Sequence, residues 1–100
     1  MNVHAQTSED GKEVTISTQT RFDFNAHKEF RDTYSSCDPS CKFIVDMKNT
    51  TYMDSSALGM LLLLREYAGS SDADIEIINC DDEILKVLQI SNFEQLFKIS

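Results

Sequence analysis

Asn49-Thr50-Thr51-Tyr52-Met53-Asp54-Ser55-Ser56-Ala57-Leu58-Gly59 lies between two apolar runs, and its reading decides the fold. Ahead of it, Phe43-Ile44-Val45 is short and β-branched, the composition of a buried strand. Behind it, Met60-Leu61-Leu62-Leu63-Leu64 flows into Arg65-Glu66-Tyr67-Ala68, which reads as a helix closed by Gly69. The polar segment is therefore a strand-to-helix connection, and Asp54-Ser55-Ser56 falls where the helix begins. Asp and Ser accept hydrogen bonds from the free N–H groups of a first helical turn. On the plain reading, these three residues cap a helix.

Outward from this connection the chain divides into short elements. Val3 and Ala5 alternate with polar neighbours, Ser8-Glu9-Asp10-Gly11 supplies a turn, and Val14-Thr15-Ile16-Ser17-Thr18 alternates again, which predicts a hairpin. Asn25 is the expected N-cap of a first helix whose buried stripe is Ala26, Phe30 and Tyr34. That helix must end before Asp38-Pro39, because the residue ahead of a proline is pushed out of the helical region. Lys42 to Asp46 is the central strand, expected to lie mid-sheet or to be covered on more than one side. The second helix, about Ser55 to Ala68, has so wide an apolar arc that it should be the most buried. Asp74 to Asn79 alternates as a strand, and Asp81-Asp82 opens a third helix with the charge its dipole favours. Ile84, Leu85, Val87 and Leu88 form its stripe, and Leu96 to Ile99 is a last short strand. The fold class is α/β: a small mixed β-sheet with helices packed against it, in the order β-β-α-β-α-β-α-β. Right-handed crossovers feed its parallel strands.

Gly59 stands out. A glycine one turn inside a helix costs about 1 kcal/mol relative to alanine. The expected reason is close approach of a neighbouring backbone or of a partner.

Composition narrows the function. A chain of 100 residues makes one small domain, residues 1–100, and 41% apolar residues suffice for a core. No run approaches the roughly 18 apolar residues of a membrane span, and Met1 to Gln6 lacks the pattern of a signal peptide, so a cytoplasmic location is expected. A net charge of −8 repels phosphate backbones and anionic lipid, which argues against nucleic acid or membrane partners and for a partner with a basic face. Three cysteines, an odd count, point to reduced thiols. Cys37 and Cys41 bracket a turn, but a zinc site needs two further ligands that the pattern does not supply. No metal and no cofactor are expected. Gly11, Gly59 and Gly69 are isolated, so there is no phosphate-cradling loop, and no nucleophile-base pair is spaced for a triad. The chain is expected to be a substrate of an enzyme and not an enzyme.

Met53-Asp54-Ser55-Ser56-Ala57-Leu58-Gly59 resembles the signature of the STAS-domain anti-sigma factor antagonists, in which Asp-Ser-(Ser/Thr)-small-apolar-Gly follows a strand and opens a helix. Phe43 to Met47 matches the family's preceding strand, Ile75 to Phe97 its strand-helix-strand ending, and Phe22-Asp23 the residues before its first helix. The resemblance implies a single STAS domain, a monomer when free. It implies that Ser55, directly after Asp54, is the residue phosphorylated by a partner kinase, with Ser56 as the neighbouring hydroxyl. Asp23, Met53, Asp54, Ser55, Ser56, Ala57, Leu58 and Gly59 would then form the partner-binding site. The implied partners are an anti-sigma factor, in the family often itself a serine kinase, and a phosphatase acting on phosphoserine. Unphosphorylated, the domain would bind the anti-sigma factor and release a sigma factor. The alternative is a STAS regulatory or scaffold subunit of a larger complex or transporter, without serine phosphorylation.

Overall fold

The computed structural model describes residues 3–100. Strands β1 (His4–Thr7) and β2 (Glu13–Ser17) form the expected antiparallel hairpin, with His4 opposite Ser17 and Thr7 opposite Val14. Its turn depends on Gly11 at φ +72°, a left-handed conformation that glycine adopts without penalty.

After β2 the chain makes a two-residue strand that the sequence pattern did not announce, β3 (Arg21–Phe22). A 3₁₀ turn (Phe24–Ala26) then leads into α1 (His27–Ser35). The cap here is Asp23 and not the expected Asn25. Asp23 is extended (φ −135°, ψ −169°) and its carboxylate accepts from Asn25 N at 3.1 Å, so Asn25 already lies inside the turn. Ala26, Phe30 and Tyr34 face the core as their spacing requires.

β4 (Lys42–Asp46) occupies the middle of the sheet. Another two-residue strand, β5 (Tyr52–Met53), precedes α2 (Ser55–Tyr67). α2 buries Ala57, Met60, Leu61 and Leu64, against two residues each for α1 and α3 (Asp82–Ile90), and is the most buried helix as expected. Its buried arc is narrower than its apolar arc, because Leu62 and Leu63 remain 40% and 47% exposed. Gly69 at φ +111° ends the helix in a left-handed cap.

β6 (Ile75–Ile78) follows, then α3, capped by Asp81, whose carboxylate accepts from Ile84 N at 2.8 Å. The last strand, β7, is only Lys98–Ile99. Leu96 and Phe97, expected in it, belong instead to a turn entered through Asn92 at φ +60°. That turn lets Phe93 and Phe97 stack at 5.3 Å, both buried, whereas an extended chain would hold residues four apart at about 13 Å.

The main sheet runs β1-β2-β4-β6-β7, parallel except for β1, and β3 pairs with β5 in a separate parallel ribbon. Each helix connects parallel strands, which is why the order alternates. Beneath the helices, Phe22, Phe30, Tyr34 and Tyr67 form a chain of rings with centroids 5.1, 5.7 and 5.1 Å apart. Such pairs add about 0.5–1.5 kcal/mol each beyond area burial.

Candidate functional site

The parallel pair β2 and β4 brings two chain segments to the same end of the sheet, and hydrogen bonds then join them. Thr18 N donates to Asp46 O at 3.1 Å, and Thr51 N and Tyr52 N both donate to Thr20 O, at 2.9 and 3.2 Å. Thr18 and Thr50 are buried, 2% and 1% exposed, and their hydroxyls are hydrogen-bonded to each other. The Thr50 hydroxyl also meets Gln19 O at 2.7 Å. A hydroxyl has one proton, so Thr50 donates to Gln19 O and accepts from Thr18.

Beyond this clasp, β3 and β5 pair with Arg21 opposite Tyr52 and Phe22 opposite Met53. Side chains alternate along a strand. Phe22 and Met53 point into the core, 0% and 7% exposed, and Arg21 and Tyr52 point out. The guanidinium of Arg21 lies 4.1 Å from the Tyr52 ring centroid and 3.6 Å from the Asp23 carboxylate. One residue past the paired Phe22 and Met53 come Asp23 and Asp54. Two acidic caps, 31 positions apart in sequence, thus sit at the end of one two-stranded ribbon.

Asp54 is extended (φ −120°, ψ −175°) and its carboxylate accepts from Ala57 N at 3.2 Å. Asp54, and not either serine, therefore caps α2. Ser55 is the first helical residue and is exposed, and Ser56 is half-buried. An anion on Ser55 would lie against the free N–H groups and positive end of the helix dipole.

The remaining residues of the sequence-derived site separate by depth. Leu58 is half-buried and Gly59 exposed, both within reach of another molecule. Met53 and Ala57 are not: at 7% and 0% exposure they hold α2 onto the core. No neighbouring backbone explains Gly59, since a Cβ there would meet nothing within 4 Å. Phe24, 69% exposed and stacked on His27 at 5.7 Å, and Tyr52, 40% exposed, also flank the site. Sequence reasoning singled out neither as part of the site. The clue to Phe24 was its position next to Asp23.

Among the described residues, no group of three or more His, Cys, Asp or Glu side chains is arranged to hold a metal, and no helix is long and apolar enough to cross a membrane. Cys37, Cys41 and Cys80 are free thiols. Cys37 and Cys41 are hydrogen-bonded to the carbonyls of Thr33 and Gly11 at 3.5 and 3.3 Å. Burial pushes the Cys37 thiol up, with a further contribution from Cys41, so it is a weak nucleophile.

Comparison with known proteins places this geometry in a family. The model described as Mlab, STAS domain matches residues 5–98. A STAS-domain containing protein of Pseudomonas aeruginosa (strain UCBPP-PA14) is 56% identical over 102 residues, covering 100% of both chains. Among solved structures, the anti-sigma factor antagonist SpoIIAA in its unphosphorylated form superposes with a TM-score of 0.74 at 17% identity, covering 98% of this chain and 86% of that one. The phosphorylated form of Bacillus SpoIIAA gives 0.71 at 16% identity, covering 98% and 90%. SLC26A9 gives 0.69 at 14% identity, where 95% of this chain spans 21% of that much longer one. At such identities the structural matches establish the fold. The family model across nearly the whole chain and the full-length relative establish more: this chain belongs to the STAS-domain family.

Proposed function

We propose that this STAS domain is an anti-sigma factor antagonist switched by phosphorylation of Ser55. Unphosphorylated, it binds an anti-sigma factor, itself a serine kinase in many relatives of this type, and a sigma factor is released. Phosphate on Ser55 breaks the complex, and a phosphoserine phosphatase restores it. The observation that carries this reading is the division of labour at the start of α2: Asp54 makes the cap and Ser55, exposed beside it, is left free for another role. A phosphate adds about −1.5 to −2 charges and three acceptor oxygens. At a helix N-terminus the domain itself tolerates that charge. In an interface beside Asp54 and Asp23, the same charge is repelled and costly to desolvate. The contact surface on this reading comprises Asp23, Asp54, Ser55, Ser56, Leu58 and Gly59, with Met53 and Ala57 supporting it from inside. The likeness to SpoIIAA, solved both with and without phosphate, supports the reading.

The test is capture of the partner kinase from the native cytoplasm by the immobilised domain, then incubation with that kinase and ATP and peptide mass spectrometry. Phosphate is expected on Ser55. Phosphate on Ser56, or on no residue of the loop, overturns the assignment. The fold likeness to part of SLC26A9 leaves open a second reading, a regulatory subunit of a larger complex without phosphorylation. Capture of a stable complex whose kinase-treated form carries no phosphate would select it.

A further inference from the structure

The main sheet buries only one of its faces. Val14 and Ile16, Phe43 and Val45, and Ile75 and Ile77 align in register across β2, β4 and β6, and all six join the core beneath the helices. Their neighbours along each strand point the other way. On that second face Thr15, Lys42, Ile44, Asp46, Glu76 and Ile78 are only half-buried. Among the described residues, Ile44 and Ile78 neither belong to the core nor pack on it. A largely parallel sheet is normally covered on both sides, and this one is covered on one. Charge on the open face is nearly balanced, although the chain as a whole carries −8. Lys42 pairs with Glu76 at 3.5 Å, and Lys98 lies beside Glu76 in register. Along the central strand, Lys42, Ile44 and Asp46 set a cation, an apolar side chain and an anion on this face at equal steps. Read backwards, that series is its own complement. Asp46 accepts from Lys48 N and Asn79 Nδ2 through Oδ1 alone, and among the described residues its Oδ2 has no partner.

We propose that the open face of the sheet seats a second copy of this chain, across a two-fold axis that passes Ile44 at right angles to β4. Each β4 then runs antiparallel over its counterpart, within about 30° as aligned sheets pack. Lys42 faces Asp46 of the second copy, Asp46 faces its Lys42, and Ile44 faces Ile44, the reciprocal pattern that a two-fold axis imposes. Glu76 comes near Glu76 of the second copy, and each keeps Lys42 and Lys98 beside it as counter-charge. Elsewhere the acidic surfaces of two copies repel; here that repulsion is least. Five short strands cover about 24 by 16 Å, roughly 400 Å² per copy. That is about half of what each partner buries in a standard stable interface, so the dimer is weak and forms only at high concentration. The helices lie on the other side of the sheet, and both copies keep Ser55 free. The proposal does not rest on the reading of Ser55, and it replaces the monomer implied by family resemblance with a monomer–dimer equilibrium.

The test is sedimentation equilibrium from about 10 to 500 µM, the range in which so small an interface fills. The weight-average mass should climb from 11.4 kDa towards twice that value. Ile44→Lys and Ile44→Glu each place like charges across the axis, and each should weaken self-association by about tenfold or more. Mixed in equal amounts, the two variants should associate again, because lysine then faces glutamate. Ile44→Lys also brings the net charge from −8 to −7, which by itself favours association, so its loss marks the face and not general repulsion. Ile90→Lys makes the same change on α3, at a side chain 74% exposed, and should associate as the parent does. Thermal melts establish that each variant is folded. Should Ile44→Glu unfold beside Glu76, Ile44→Lys against Ile90→Lys decides alone. A parent that stays at 11.4 kDa throughout overturns the proposal. So does a dimer that Ile44→Lys leaves intact, which would place the contact elsewhere. Two folded Ile44 variants that fail to associate when mixed would overturn the two-fold axis at Ile44.

Discussion

At the scale of the residue, Asp54 and Ser55 divide the work of a helix start. Asp54→Ala removes the carboxylate that accepts from Ala57 N and should cost about 0.5–2 kcal/mol in urea unfolding. Ser55→Ala, by contrast, removes an exposed hydroxyl that caps nothing, and stability should stay within about 0.5 kcal/mol of the parent. It should bind the partner normally and be deaf to the kinase. Ser55→Asp separates stability from recognition. Its carboxylate sits at the favourable end of the helix dipole, so the free domain should melt with the parent or slightly above it. Binding should fall by about 1–2 kcal/mol, roughly five- to thirtyfold, because two adjacent carboxylates must be desolvated against the partner. A normal melt with normal binding would show that charge at this helix start is not the switch.

At the scale of the element, the site depends on two loops held together by the Thr18–Thr50–Gln19 clasp. The hydrogen-bond direction makes the two threonines unequal. Thr50→Val strands the Gln19 carbonyl and leaves the Thr18 hydroxyl only its longer contact with Asp46 O at 3.4 Å, and should cost about 1–3 kcal/mol. Thr18→Val leaves Thr50 donating to Gln19 and should cost less. Equal losses in paired denaturation curves would mean that the assigned direction is wrong. Because β3 and β5 lie beyond the clasp, Thr50→Val should also weaken partner binding by displacing Asp23 from Asp54, while Thr18→Val should do so less.

At the scale of the whole molecule, Cys37, Cys80 and Tyr34 should draw stability down at alkaline pH. Burial, with help from Asp81, pushes Cys80 up to about 11 from an ordinary 9.0. Burial also raises Cys37 and Tyr34. In each case the unfolded chain releases its proton at a lower pH than the folded chain. Above the ordinary thiol value the unfolded state therefore binds fewer protons, and stability falls as pH rises. The window for Cys80 runs from 9.0 to about 11. Urea midpoints should be flat near pH 8 and decline across that window, and Cys80→Ala should soften the decline. A midpoint that rises through the window would contradict the assignment.

Local chemistry was legible in the sequence wherever a pattern repeated over a turn or more. Phe43 to Val45, the apolar spacing of α2, the acidic start of α3 and the Gly69 stop all occupy the positions their residues required. The Asp54-Ser55 step was legible too, since capping is a property of a few consecutive residues. Two-residue strands carry no period, so β3 and β5 left no trace in the pattern, and Asp23 could be related to Asp54 only by family resemblance. Depth was likewise a tertiary decision. Met53, Ala57, Leu62 and Leu63 are apolar alike, but the first two are buried and the last two largely exposed. Hydrophobicity states which side chains gain from leaving water. Only the packing of α2 against α1 and the sheet determines which of them find room to do so, and which remain outside to meet a partner.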